Sequence, residues 1–124
     1  MEKVEFLILR NLLYNEEYVR KVVPFLKAEY FENHNEKVVF EEILNFVQEY
    51  NTPATKEVLC IETEKRQDIN DSSFKEITDL IGSLEESPSE FDWLVSTTEK
   101  WCRDRAIYLA LMESIQLADG KDDQ

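Results

Sequence analysis

Among the residues of this chain that could take part in catalysis, the most frequent arrangement is a pair of adjacent carboxylates. Glu16-Glu17, Glu41-Glu42 and Glu85-Glu86 each bring two acids together, and glycoside hydrolysis uses two carboxylates as acid and base. The chain contains 27 Asp and Glu residues among 124, so such pairs arise easily from composition alone. We therefore interpret them as solvated helix faces and predict no catalytic residue.

Cys60, Cys102 and His34 are the other candidates for a nucleophile, a general base or a metal ligand. The cysteines are far apart in sequence and outside any CxxC pattern, which favours buried, reduced thiols over a disulfide or a zinc site. Neither can be paired with the single histidine from sequence, and nothing places carboxylates beside them at ligand spacing. We predict no metal site, and the absence of a glycine-rich phosphate loop predicts no bound nucleotide cofactor.

The charge balance restricts the partners. With 14 Lys and Arg residues the net charge is -13, so a phosphate backbone would be repelled, and we expect little direct nucleic-acid binding. The acidic surface could meet a basic protein partner, or it could simply keep the domain soluble, and charge alone does not separate these alternatives. The N-terminus lacks signal-peptide features and no apolar run reaches membrane-spanning length, so we expect a cytoplasmic protein without membrane contact.

Helical periodicity dominates the sequence. Only two glycines and three prolines interrupt it, and apolar spacings of three and four predict an all-α, compact bundle of about six helices that ends in a long helix. The predicted helices cover residues 2–14, 16–23, 34–50, 55–66, 73–84 and 89–119, with a break at Pro24 and a polar connector at 67–72. Their predicted N-caps include Asn33 with Glu36, Thr55, Ser73 with Glu76, and Ser89.

The last helix carries apolar residues on two sides. The side predicted to pack on the bundle contains Phe91, Leu94, Thr98, Trp101, Cys102, Leu109 and Met112. Trp93, Ile107 and Leu111 project to the opposite side, so the segment AIYLALM (106–112) needs cover on both flanks. We favour a second chain or a following helix as this cover over a preceding helix of the same domain. Arg105 lies within the packed side, where we favour a structural ion pair over a partner contact.

Three segments in this order resemble a known family. They are YFENHNEKVVF (30–40), TPATKEVL (52–59) and SPSEFDWLVSTTEKWCRDRA (87–106). Over essentially the whole chain, the sequence resembles the N-terminal domain of DnaB-type replicative DNA helicases, most closely the primase-helicase subunits of T-even-like phages.

The resemblance implies an assembly role. Such helicases are hexameric rings that unwind DNA in the 5′ to 3′ direction, and ATP and magnesium bind in a motor domain that this chain would lack. Their N-terminal domains form a collar, pair through a helical hairpin and dock primase and helicase loaders. We thus expect self-association as a dimer or ring of dimers, with Trp93, Ile107, Ala110 and Leu111 at the interface.

The same resemblance predicts the domain organisation. Residues 1–88 would form the globular bundle, and 89–124 the long helix and the start of a hairpin loop, within a single domain. The second hairpin arm, linker and motor domain would lie outside this chain, which we therefore expect to be a fragment. The alternative function is a free-standing acidic phage adaptor or inhibitor that binds a basic partner.

Overall fold

The computed structural model describes residues 3–122, with side-chain surroundings up to residue 119. This part of the chain contains six α-helices and no strand, which confirms the all-α prediction. The helices are α1 (Val4–Tyr14), α2 (Glu16–Val22), α3 (His34–Tyr50), α4 (Lys56–Glu64), α5 (Asp71–Ser83) and α6 (Phe91–Asp122). Glu2, where the first helix was predicted to begin, lies outside the described residues.

Two of the predicted helix caps are confirmed. The side chain of Asn33 accepts a hydrogen bond from the Glu36 N–H at 3.1 Å, and Thr55 accepts one from the Val58 N–H at 3.2 Å. Each bond satisfies a backbone donor that has no partner within the helix. The Glu36 side chain is nearly buried, and burial raises the pKa of its carboxyl group.

The predicted cap of α5 is wrong. Asn70, not Ser73, precedes the helix, and the Asn70 side chain accepts from the Ser73 N–H at 2.8 Å. Glu76, the expected capping partner, instead accepts a hydrogen bond from Asn35 at 2.9 Å. Asn and Ser are similarly good caps, so a polar connector with several of them does not mark the first helical residue by itself.

Both ends of α6 also differ from the prediction. Glu90 replaces Ser89 as the cap, because its carboxylate accepts from the N–H groups of Asp92 at 3.1 Å and Trp93 at 2.7 Å. A negative charge there is favoured by the helix dipole. At the other end, α6 continues past Gly120 to Asp122. A glycine inside a helix costs only about 1 kcal/mol relative to alanine, so it does not enforce a stop.

Proline and two short turns connect α2 to α3. Pro24 lies within a 3-10 turn, Val23–Phe25, immediately after α2, as the predicted break requires. A second 3-10 turn, Ala28–Tyr30, was not predicted. It places Tyr30 and Phe31 against α6, where both side chains are buried.

Helix α1 lies at the centre of the bundle. Seven consecutive residues, 7–13, are buried because α2, α3 and α6 pack around it. Among the polar residues of this run, the Asn11 amide donates to the Leu7 carbonyl at 2.9 Å. Along residues 3–122, no helix combines the length and the apolarity that crossing a membrane would need.

Candidate assembly surface on helix α6

The first four turns of α6 are packed into the bundle. Leu94 and Thr98 are completely buried, and Cys102 is nearly so. The Thr98 hydroxyl donates to the Leu94 carbonyl at 2.8 Å, and its oxygen lies 2.6 Å from the Tyr18 hydroxyl. Because Thr98 has one hydroxyl hydrogen, Tyr18 must be the donor between them. This bond ties α6 to α2 inside the core.

An aromatic group holds the next turn. The Trp101 ring lies 5.0 Å from the Phe31 ring and 6.1 Å from the Tyr30 ring, the latter edge-on. Phe31 stacks in turn on Phe40 of α3 at 5.0 Å. The prediction that Trp101 belongs to the packed side is confirmed, and α6 is joined through it to α3.

Arg105 marks the point where α6 leaves the bundle. Its Nε donates to the Tyr30 carbonyl at 2.6 Å, and its guanidinium lies 4.9 Å from the centre of the Tyr108 ring. Among residues 3–119, whose side-chain surroundings are described, it forms no ion pair, so the predicted structural ion pair is wrong. A backbone carbonyl satisfies one donor, and the aromatic face accommodates the charge without a carboxylate.

Beyond Arg105 the helix is largely uncovered. Leu109 still touches the core, but Ile107 and Leu111 are 57% and 59% exposed. From residue 110 to 119 every side chain is exposed. A helix of 32 residues is roughly 48 Å long, whereas a small domain is about 30 Å across, so α6 must outrun the bundle.

Most of the large exposed apolar residues of this outer part share one face, and the exception, Leu117, lies about 80° beyond Ile107 on the other side of the helix. Five of them recur at spacings of one, three and four, and together they cover about 140° of an ideal helix. We call this set the outer stripe: Ile107, Tyr108, Leu111, Met112 and Ile115. The stripe contains no charged residue. Contiguous apolar surface of this kind is characteristic of sites that bind protein.

The predicted interface residues are not all on the outer stripe. Ile107 and Leu111 belong to it, and Ala110 is exposed beside it, displaced by about 60° from Ile107 around the helix. Trp93 is 54% exposed but lies about 21 Å back along the axis from Ile107. It borders a separate shallow cleft with Val4, Leu7 and Arg10.

Sequence reasoning missed part of the stripe. Met112 was assigned to the packed side, but it is exposed, because the bundle ends before the helix reaches it. Tyr108 and Ile115 were not singled out at all. Extending the spacing of four from Ile107 and Leu111 to Ile115 would have identified the last of them.

The carboxylates and thiols considered as catalytic candidates have structural roles. Glu41 and Glu42 both bind Arg66, at 3.1 and 2.7 Å, and the Glu42 side chain is only 11% exposed. The interpretation of this pair as a solvated face is therefore wrong, since the two acids anchor α3 to the loop after α4. Burial raises the pKa of the Cys102 thiol to about 11, which keeps it protonated at neutral pH.

The two cysteines were predicted to be buried, reduced thiols, and no metal site was predicted. Cys60 is half-buried rather than buried, and both cysteines are free thiols. Among the side chains of residues 3–119, no group of three or more His, Cys, Asp or Glu could hold a metal ion.

Comparison with known proteins identifies a relative of this chain. It is 31% identical over 111 residues to a DnaB-like replicative helicase of Enterobacteria phage T4. The match covers 90% of this chain but 23% of that protein, so the chain spans less than a quarter of the relative's length. No protein-family model matches. The resemblance predicted from the motifs is thus confirmed: the chain is a homologue of one part of a DnaB-like replicative helicase.

Proposed function

We propose that this chain is the N-terminal assembly domain of a replicative DNA helicase. The outer stripe of α6 packs against another helix, which is supplied either by the second arm of a hairpin or by a neighbouring subunit. The paired subunits build a hexameric ring. It also docks primase and a helicase loader, in the cytoplasm of the host cell. ATP and magnesium bind to a motor domain elsewhere in the full protein.

One observation supports the pairing above all others: a rigidly anchored helix carries a continuous apolar face into solvent. The chain exposes 7966 Å², whereas a compact monomer of 14.7 kDa exposes about 6,900 Å². The excess of about 1,000 Å² is comparable to the roughly 800 Å² that each partner buries in a standard protein interface. The uncovered outer part of α6 contributes to this excess.

Sedimentation of stripe variants tests the pairing. We expect Ile107→Asp with Leu111→Asp to reduce self-association by at least about tenfold, because it places two charges in an apolar contact. The matched control is Leu117→Asp, because Leu117 is a 63% exposed leucine of the same outer segment that lies about 80° beyond Ile107, off the stripe. Unchanged association and stability in the double variant would contradict the pairing. Lost stability without altered association would mean that the stripe has only an intradomain role.

Titration calorimetry with purified primase and loader from the same source tests the docking role. The domain should bind each of them without nucleic acid, in a form that includes the residues following 124. Failure of both would rule out the platform role and would leave the family relationship intact, because that relationship rests on sequence similarity.

The gene beyond codon 124 distinguishes the assembly domain from a free-standing acidic adaptor or inhibitor. If the chain is part of a helicase, the gene should next encode a further helical arm. It should later encode a loop of the form GxxxxGKS or GxxxxGKT, whose backbone binds phosphates. A stop codon at that point would instead favour the adaptor, for which the net charge of -13 is the supporting feature.

A further inference from the structure

A second apolar patch lies away from α6. Among the described residues, only three large exposed hydrophobic side chains are outside α6, namely Tyr14, Tyr50 and Ile61. The Tyr14 hydroxyl donates to the Leu84 carbonyl at 2.8 Å, which accounts for that residue. Tyr50 and Ile61 are 59% and 49% exposed, and they line the same cleft.

The cleft separates the end of α3 from α4. Its walls are formed by Phe46, Tyr50, Val58, Ile61, Glu62 and Lys65, around a volume of about 240 Å³. The Phe46 and Tyr50 rings are 4.7 Å apart, so the aromatic wall is already in place. Small-molecule sites usually measure about 300–1,000 Å³. We call this the α3–α4 cleft, and its size suits one large side chain of another protein.

Three exposed acidic residues flank the exposed wall residues Tyr50 and Ile61 without lining the cleft itself, and we call them its rim. Glu57 and Glu64 are exposed on α4, four residues before and three after Ile61, and Glu49 is exposed beside Tyr50. None of the three forms an ion pair with another described residue. The carbonyl end of α3 adds a partial negative charge.

Neither Lys56 of α4 nor Lys65, the residue after the helix, neutralises this rim. Lys65 pairs with Glu62 at 2.7 Å, within the cleft wall. Lys56 is directed towards α5, where it donates to the Gly82 carbonyl at 2.9 Å and to Glu85 at 3.0 Å. The lysine in the cleft wall is therefore already paired, and the three flanking carboxylates keep their charge without an ion-pair partner among the described residues.

We propose that the α3–α4 cleft docks a basic amphipathic helix of a partner protein. One large apolar side chain enters between Tyr50 and Ile61, and flanking Lys or Arg residues meet Glu49, Glu57 and Glu64. A second copy of this chain fits poorly, because its net charge of -13 would repel the rim. The inference rests on the platform part of the proposed function, but it concerns a surface separate from the outer stripe.

A synthetic peptide is a suitable probe, titrated into the ¹⁵N-labelled chain while amide shifts are recorded. The peptide is a helix with leucines on one face and lysines elsewhere, and its matched control carries glutamates in place of the lysines. We expect the lysine peptide to shift amides of residues 46–65, and the glutamate peptide to bind at least about tenfold more weakly. Shifts confined to residues 107–115 would overturn the proposal.

Matched isoleucine variants distinguish the two surfaces. Ile61→Glu should weaken peptide binding about tenfold. Ile107 is a similarly exposed isoleucine on the outer stripe, so Ile107→Glu should change peptide binding by less than about twofold. Ile61→Ala is the second variant if circular dichroism shows that Ile61→Glu is unfolded. Glu57→Lys with Glu64→Lys should weaken binding about fivefold at low salt, with the difference lost near 1 M salt.

Equal losses for Ile61→Glu and Ile107→Glu, or no loss for Ile61→Glu, would contradict docking at this cleft. These results are independent of the pairing test. The Ile107→Asp/Leu111→Asp variant can lose self-association and still bind the peptide, and that combination would show two separate surfaces.

Discussion

The inner and outer parts of α6 differ in their surroundings, although the chain is helical throughout both. Residues 91–105 are held by a buried hydroxyl pair, by three aromatic rings and by the bond from Arg105 to the Tyr30 carbonyl. Every side chain of residues 110–119 is exposed. The comparison shows that the inner part fixes the direction in which the outer part projects. An anchored helix with an apolar outer face can pair without first ordering its own backbone, which lowers the entropy cost of association.

Two leucines of the same helix give the largest expected difference. Leu94 is completely buried and Leu111 is 59% exposed. We expect Leu94→Ala to reduce the free energy of unfolding by about 2–5 kcal/mol, through lost burial and a residual cavity. Leu111→Ala should change it by less than about 0.5 kcal/mol. Urea unfolding of the two variants at a concentration where the chain is monomeric measures both, and similar losses would mean that the outer segment is covered within the monomer.

Two tyrosines provide the next test, of the hydroxyl pair that anchors the inner part. Tyr18→Phe removes the donor to the buried Thr98 hydroxyl, and we expect a loss of about 1–2 kcal/mol in the free energy of unfolding. Tyr50→Phe is the control, because that residue is exposed, and it should change stability by less than about 0.5 kcal/mol. If Tyr18→Phe were as stable as the wild type, the hydrogen bond would contribute nothing to anchoring α6.

Cysteine labelling gives the smallest expected effect and reports whether the inner part opens. Iodoacetamide should modify Cys102 at least about tenfold more slowly than the half-buried Cys60 at pH 8, as read by mass spectrometry. The pKa of Cys102 is about 11 in the folded chain, raised above that of an exposed thiol, so burial of the neutral thiol stabilises the fold below the unfolded pKa. That contribution is lost as the pH rises through about 11.

The labelling control is urea, in which both cysteines are exposed and should react at similar rates. Equal rates in the native chain would show that the inner part of α6 opens readily. In that case the outer part would not have a fixed direction before pairing.

Much of the fold follows from the sequence because local signals agree with each other. Asn33 and Thr55 cap the helices that their spacing predicts, and Pro24 breaks the chain where its missing N–H requires it. The caps of α5 and α6 do not follow, because Asn70, Ser73, Ser89 and Glu90 all stand near a helix start. Which of them caps depends on where the helix must begin in order to pack, and a local pattern does not contain that information.

The candidate surface divides in the same way. The sequence by itself determined that α6 is long, helical and apolar on more than one side, because helical periodicity is a local property. Only the tertiary structure decided that Met112 is exposed, that Arg105 meets a backbone carbonyl, and that Glu41 and Glu42 share Arg66. Each depends on where a segment distant in sequence lies, so the exposed side of α6 is defined by the point at which the bundle ends.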